Sequence, residues 1–335
     1  MQFTNLYRIF GLIYSGAGHI LMFHRVVSDN CYKESINKEN VITSKELELC
    51  INYYLINNYM IVSMDELYAL LIDNKLAGNK FVSFTFDDGY KDTFTTAYPV
   101  MKKYNIPFTI CLATGVPDRT AVLWWLLLED LLLKHDEINF ELNNKIHYFK
   151  TGTPTEKYTA FRNVRSIILD THDDYLDKLH KIFDPYKLDL YRPAEDFGVN
   201  WEQIKVMSRD QNVTIASHGV NHLPLNKISI NSVRKEIAGS IERINEQTGR
   251  KVDHFCYPYG RTENGPREFE IVKSCGLKTA ITTRFANVFH EHRDYLCCLP
   301  RIYKIGTMPL IKYIDVLASG ALSALRYKFK RVVTD

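Results

Sequence analysis

Short apolar runs recur along this chain, and each breaks off at a polar residue before a helix-patterned segment begins. Residues 19–23 (HILMF) and 81–86 (FVSFTF) are the clearest, being short and rich in branched or aromatic side chains. Residues 60–63, 108–112, 213–217, 252–257 and 278–282 read the same way. Helical patterns fill the gaps at 44–59, 64–72, 92–104, 201–209, 229–247 and 267–274, with Ser44 as an N-cap for the first. Strands alternating with helices demand a largely parallel sheet, and such sheets bind ligands beyond the carboxyl ends of their strands. With 335 residues, 46% of them hydrophobic, the chain can fill one α/β barrel, read here as a single domain over 1–335.

Two stretches depart from the rhythm. Residues 118–192 hold a very apolar helix pattern (AVLWWLLLEDLLL), a hairpin pattern about Asn143-Asn144 and further helix to Tyr191. We read them as an insertion that packs on the barrel as a lid. Residues 308–335 read as a helical tail in which Arg326, Lys328, Lys330 and Arg331 stand among apolar residues. A basic amphipathic tail can rest on an anionic membrane, or it can be a solvated face. No apolar run approaches the ~18 residues of a spanning helix, which excludes a polytopic membrane protein. The formal net charge of +3 is too even to make nucleic acid the main partner. Seven cysteines without a C-x-x-C pair read as reduced thiols, and residues 1–14 carry no signal-peptide pattern. Together these place the chain in the cytoplasm.

The chemistry concentrates at two strand ends. Thr85-Phe86-Asp87-Asp88-Gly89-Tyr90 sets adjacent carboxylates on a glycine turn. Like charges so close call for a cation or a shared proton, although Asp88 or Asp92 could instead cap the next helix. Ser217-His218-Gly219-Val220-Asn221-His222 offers two histidines at i and i+4, which can share one face and one divalent ion. One aspartate and two histidines leave a fourth position open for water, the pattern of a catalytic rather than a structural site. The third feature is the turn Tyr257-Pro258-Tyr259-Gly260, whose rings suit the apolar face of a sugar.

These three segments, in this order, make the chain resemble the polysaccharide deacetylase family, the NodB-homology or carbohydrate esterase 4 group. The family's T-F-D-D-G is matched by Thr85–Gly89, its S/T-H-x-x-x-H/S by Ser217–His222 and its aromatic P-Y-G by Tyr257–Gly260. The resemblance implies a distorted (β/α) barrel of about seven units and metal-dependent removal of acetyl from N-acetylated sugars. It makes Asp88, His218 and His222 the ligands of a divalent metal, Zn2+ first, with Co2+, Ni2+ or Fe2+ acceptable to the same donors. Asp87 becomes the general base on the metal-activated water, and the Tyr259 backbone N–H an oxyanion donor. Tyr257, Pro258, Tyr259 and Trp201 are the residues expected to touch substrate; the Trp124-Trp125 pair is also available for sugar stacking, with helix-face packing the favoured role.

The chain also departs from the family pattern. Cys256 stands where many members carry an arginine that orients the base, and Leu299-Pro300-Arg301-Ile302 lacks the late histidine that serves as general acid. Met22-Phe23-His24-Arg25-Val26 resembles the opening of the branch that works on surface polysaccharides. His24 is therefore the candidate acid, and Arg301 either holds Asp87 or meets an anionic part of the substrate. Two alternatives stay open: a non-catalytic glycan-binding barrel and a hydrolase of a non-sugar amide. The substrate expected from a cytoplasmic site is a saccharide or its nucleotide- or lipid-linked precursor. The sequence fixes no oligomeric state.

Overall fold

A computed structural model describes residues 6–29, 35–73, 80–170, 174–260, 264–306 and 309–334; Cys31 and Met308 lie outside them. The chain enters through helix α1 (Leu6–Tyr14) and the first barrel strand, β1 (Gly18–Phe23). A short parallel pair, β2 (Arg25–Val27) and β3 (Val41–Thr43), precedes α2 (Ser44–Ile56). Then come β4 (Met60–Ile61), α3 (Met64–Ile72), β5 (Phe81–Phe86), α4 (Tyr98–Lys103) and β6 (Phe108–Leu112). The stretch that departs from the alternation holds α5 (Trp124–Lys134), the hairpin β7 (Glu137–Leu142) and β8 (Lys145–Lys150), α6 (Pro154–Leu169), α7 (Tyr175–Phe183) and α8 (Arg192–Phe197). The alternation resumes with α9 (Trp201–Ser208), β9 (Val213–Ser217), α10 (Ile230–Thr248), β10 (His254–Cys256), α11 (Pro266–Ser274), β11 (Thr279–Phe285) and β12 (Leu299–Tyr303). Two short helices, α12 (Ile314–Ala318) and α13 (Ala321–Arg326), end it.

Seven parallel strands close into a ring in the order β1, β12, β11, β10, β9, β6, β5, and β5 pairs back onto β1 from Gly18↔Phe81 to Phe23↔Phe86. Because β1 occupies one whole edge of β5, the other edge is divided. β4 pairs with its start and β6 with its end, which distorts the barrel there.

Period-2 alternation decides which residues enter the barrel. Phe84, Phe86, Ile110, Ile215, Phe255 and Tyr257 face outward into the apolar layer under the helices. Ile20, Cys111, Ala216, Cys256, Ile281 and Leu299 form a second cluster inside the ring. Carried one step past the strand ends, the inward face delivers His24, Asp87 and His218 to the barrel mouth. The insertion has its own apolar cluster, built on Trp124, Leu128, Leu131, Ile138, Phe161 and Leu179.

Four local readings change. The first helix is capped by Thr43, in a reciprocal box with Glu46, and not by Ser44. The helix after Asp92 opens with a π-helical stretch at Thr93–Ala97, and Asp92 makes no capping bond there. β12 is a strand the sequence pattern did not mark, running through Pro300 and the charged Arg301. The tail is not one amphipathic helix: Gly320, at φ 72°, breaks it into α12 and α13, whose Ile314, Leu317, Ala321 and Ala324 are buried.

Two histidines far from the motifs are sealed into the fold. His19 donates from Nε2 to the Ala318 carbonyl at 3.3 Å, and burial pushes its pKa down to about 3. His292 accepts the Phe289 N–H at Nδ1 (2.9 Å), which requires a neutral ring, and burial takes it to about 4. An unfolded imidazole titrates near 6.5, so between about pH 4 and 6.5 the unfolded chain binds more protons than the folded one. Stability is therefore full above that window and falls as pH drops through it. The slope approaches ~1.4 kcal/mol per pH unit for each ring. Urea unfolding at pH 7 and pH 5 measures it. His19→Gln, which keeps a donor and cannot charge, should remove about one proton of that slope; an unchanged slope in the variant would contradict the account.

Candidate metal and catalytic site

The turn after β5 is built tightly. Asp87 N–H donates to the Phe23 carbonyl (2.8 Å) and Gly89 N–H to the Asp87 carbonyl (2.9 Å). Asp88 then takes φ 72° and Gly89 φ 90°, where a Cβ on Gly89 would stand 2.7 Å from a Leu112 methyl. His222 (φ 54°) and Tyr259 (φ 57°) are also left-handed. Non-glycine residues in that region cost on the order of 1 kcal/mol or more each, and three of them converge on one spot.

One oxygen, one ring nitrogen from each histidine, and little else meet there. Asp88 Oδ1 lies 3.4 Å from His218 Nε2 and 3.2 Å from His222 Nε2. All three side chains are buried, their ligand atoms lie within 4.8 Å of one another, and Asp88 Oδ1 and His218 Nε2 have no hydrogen-bond partner. His218 Nδ1 donates to the Cys256 carbonyl at 2.7 Å, so its Nε2 presents a lone pair to the carboxylate. Two acceptors aimed at each other in a dry site call for a cation. Bonds of about 2.0–2.1 Å in a tetrahedron put neighbouring donors roughly 3.4 Å apart, which the observed separations match. The residues present fit a divalent ion. Burial pushes the Asp88 carboxyl up, and positive charge in the cluster, from a protonated ring or a bound cation, brings it well below the usual range. Burial lowers the His222 pKa.

Asp87 shares the pocket but not the bonding. Arg301, fully buried on β12, donates Nη1–H to Asp87 Oδ1 and Nη2–H to Oδ2, both at 2.7 Å. Its remaining N–H groups go to the Thr282 carbonyl (2.8 Å), Thr85 Oγ1 (3.0 Å) and Cys256 Sγ (3.2 Å). A guanidinium has five such donors, and all five are used. Burial would raise Asp87; Arg301 overrides it and brings the pKa down to about 2. Cys256, short-chained and facing inward, leaves the room into which Arg301 reaches.

The other expected residues divide. His24 stands half-buried at the tip of β1, within electrostatic reach of Asp87, Asp88 and His222. Tyr259 sets its ring 4.6 Å from the His222 ring, and its hydroxyl accepts Trp124 Nε1–H at 2.9 Å. Among the described residues its backbone N–H has no acceptor. Pro258, preceding it in the turn, is buried. Tyr257 does not reach the pocket. Its ring is fully buried in the outer layer against Phe255 and Phe269, and its hydroxyl donates to the Cys297 carbonyl (3.0 Å), so it cannot stack a sugar. Alternation with inward Cys256 could have indicated this. Trp201 is likewise engaged elsewhere: its Nε1–H donates to Asp118 (2.8 Å), and Arg243 covers its ring. Asp92 accepts from Arg25 Nε (2.8 Å) and Val26 N (3.2 Å), which ties the segment after β1 to the helix after β5.

Three further residues shape the pocket, and of these Glu236 and Gly115 were not marked by the sequence. Trp125 lies 5.0 Å from the His222 ring and donates to the Tyr90 hydroxyl (2.5 Å), so with Trp124 it walls the pocket from the insertion side. Glu236, buried on α10, accepts Val220 N–H (3.0 Å), Asn221 N–H (2.8 Å) and Asn221 Nδ2–H (2.8 Å). It clamps the loop between the two histidines. No sequence pattern marks it, since it is one carboxylate on a long polar helix. Gly115 completes the clamp by letting the Val220 carbonyl accept its N–H at 2.8 Å, where a Cβ would collide.

The model of a family described as polysaccharide deacetylase matches residues 74–280, more than half of the chain. YxkH of Bacillus subtilis (strain 168) is 35% identical over 91 residues, which cover 27% of this chain and 30% of that protein. The chain thus aligns with under a third of that relative's length. The Streptococcus pyogenes deacetylase PplD in complex with acetate superposes with a TM-score of 0.58 at 17% identity, over 89% of this chain and 97% of that one. The de-N-acetylase from Aggregatibacter actinomycetemcomitans gives 0.56 at 19%, over 90% and 99%. IcaB from Ammonifex degensii gives 0.56 at 18%, over 90% and 97%. At these identities the likeness is one of fold.

If Glu236 aims the loop, Glu236→Ala should weaken divalent-metal binding by about 10–100-fold, as loss of a supporting contact does. His218→Ala should abolish tight one-to-one binding. Competition with a chromogenic chelator reads both, and a Glu236→Ala protein that is folded and binds metal like the parent would overturn the assignment.

Proposed function

The chain belongs to the polysaccharide deacetylase family, and from that premise we propose that it is a metal-dependent hydrolase removing N-acetyl groups from N-acetylated sugars of a poly- or oligosaccharide or its carrier-linked precursor. One observation carries the reading: Asp88, His218 and His222 converge on one point with a separately fixed, ionised carboxylate, Asp87, beside them.

In this reading Asp88, His218 and His222 hold a divalent ion, Zn2+ before Co2+, Ni2+ or Fe2+. Such an ion supplies Lewis-acid polarisation of an amide carbonyl and acidifies a water molecule. Asp87 takes the proton from the attacking water. Arg301 is a positioning residue: it fixes both oxygens of Asp87 and favours their ionised form, at the expense of basicity. The Tyr259 N–H, pointing out of a left-handed turn, is the donor for the oxyanion that develops on the carbonyl. His24 gives a proton to the departing amine, in place of the late histidine the chain lacks. Water is added across the amide bond, its hydroxyl ending in acetic acid and a proton on the amino sugar, and the proton taken up by Asp87 offsets the one given by His24. Trp124, Trp125 and Tyr90 close one side of the pocket against bulk water.

Acetate release from N-acetylhexosamine oligomers, after chelation and again after metal add-back, tests the reading. Release restored by a divalent metal is expected. A folded, metal-loaded protein that binds the glycan without releasing acetate would favour a non-catalytic barrel, and release only from non-sugar amides would move the substrate class.

Arg301→Lys keeps the charge but cannot grip both oxygens. It should lower kcat on the order of a hundredfold while leaving metal affinity near the parent's, because Arg301 touches no metal ligand. Equal loss of metal and of kcat would instead make Arg301 a structural support of the whole site.

A further inference from the structure

Helix α1 is apolar all the way round, with Arg8 its single charge, yet only one side of it is covered. Phe10 and Tyr14 face inward and meet the ring of Phe329, with centroids 6.4 and 6.1 Å away, and Gly11 lies against Ser319. Ile9, Leu12 and Ile13, at i, i+3 and i+4, form the opposite stripe and are 60, 86 and 59% exposed. From the other end of the chain, Leu325 and Phe329 add exposures of 60 and 54% to the same surface, because α1 packs on α13. A helix that leaves its more apolar stripe in water is waiting for a cover.

Charge says what the cover is. Arg8, Arg326, Lys328, Lys330 and Arg331 are exposed around the stripe, and neither α1 nor residues 319–333 contain an acidic residue. Arg331 reaches Glu291 at 3.4 Å. A two-fold contact with a second copy would press this basic rim against itself. Among the described residues no helix is long and apolar enough to cross a membrane. We propose that α1 and α13 together form a membrane-docking surface, which seats Ile9, Leu12, Ile13, Leu325 and Phe329 in the acyl boundary of an anionic bilayer with the arginines and lysines at the headgroups.

The orientation follows from the topology. α1 leads into the start of β1, whereas Asp87, Asp88 and His218 follow strand ends. The bilayer therefore meets the end of the barrel at which the strands begin, and the candidate site opens toward the water about one strand length away, roughly 20 Å. Sugars extending from the surface can reach it; a sugar lying at the headgroups cannot.

Flotation with vesicles tests the surface independently of any turnover. The full chain should float with phosphatidylcholine vesicles containing about a third phosphatidylglycerol and much less with phosphatidylcholine alone. Leu12→Asp with Ile13→Asp, both at exposed positions, should weaken binding at least about tenfold with circular dichroism and metal uptake unchanged. Lys328→Glu with Lys330→Glu should abolish the preference for the anionic lipid. Failure to float, or flotation that neither pair alters, would overturn the proposal. So would a concentration-dependent dimer that these variants dissolve while vesicles are ignored, since a second copy would then be the cover.

Discussion

The Asp87–Arg301 pair is the interaction around which the barrel mouth is arranged. Both groups are buried, and two 2.7 Å bonds join them. A buried ion pair is a weak source of net stability, but removing one partner alone costs about 3–5 kcal/mol. The pair therefore acts as a constraint: once Arg301 enters the ring, Asp87 has one place to be. The other three donors of the guanidinium fasten it to β11, β5 and β10. Strands distant in sequence are thereby held at a fixed relative height below the pocket.

Above that layer the structure works against local preference. Asp88, His222 and Tyr259 all adopt left-handed backbone, and His218 Nε2 and Asp88 Oδ1 are buried without hydrogen bonds. Such features persist only where the surroundings over-determine them. Here the surroundings are Glu236 and Gly115 under the histidine loop, and Trp124 and Trp125 from the insertion. An assembly this strained around an aimed set of donors is what a bound cation would relieve, and the proposed deacetylation draws on that.

The two ends of the barrel carry different burdens. The mouth gathers the donors and the ionised carboxylate. The opposite end gathers neutral His19, buried against the Ala318 carbonyl, and the two chain-terminal helices. Acid sensitivity and the proposed membrane contact thus belong to the closed end, away from the chemistry.

Much of this was written in local pattern. The strands Phe108–Leu112 and Val213–Ser217 carry their own period and punctuation, and Asp87-Asp88 and His218-x-x-x-His222 sit at strand ends because parallel sheets put polar turns there. Alternation alone sends His24, Asp87 and His218 inward. What the sequence could not decide depended on distant partners. β12 was hidden because Pro300 and a buried arginine deny the appearance of a strand, and Arg301 is tolerable only because Asp87, brought by another strand, neutralises it. The loss of Tyr257 to the outer layer, the use of Trp124 and Trp125 as a pocket wall and the clamp at Glu236 were likewise settled by packing. A side chain's neighbours across the barrel are fixed by ring closure, and no local run of residues records that.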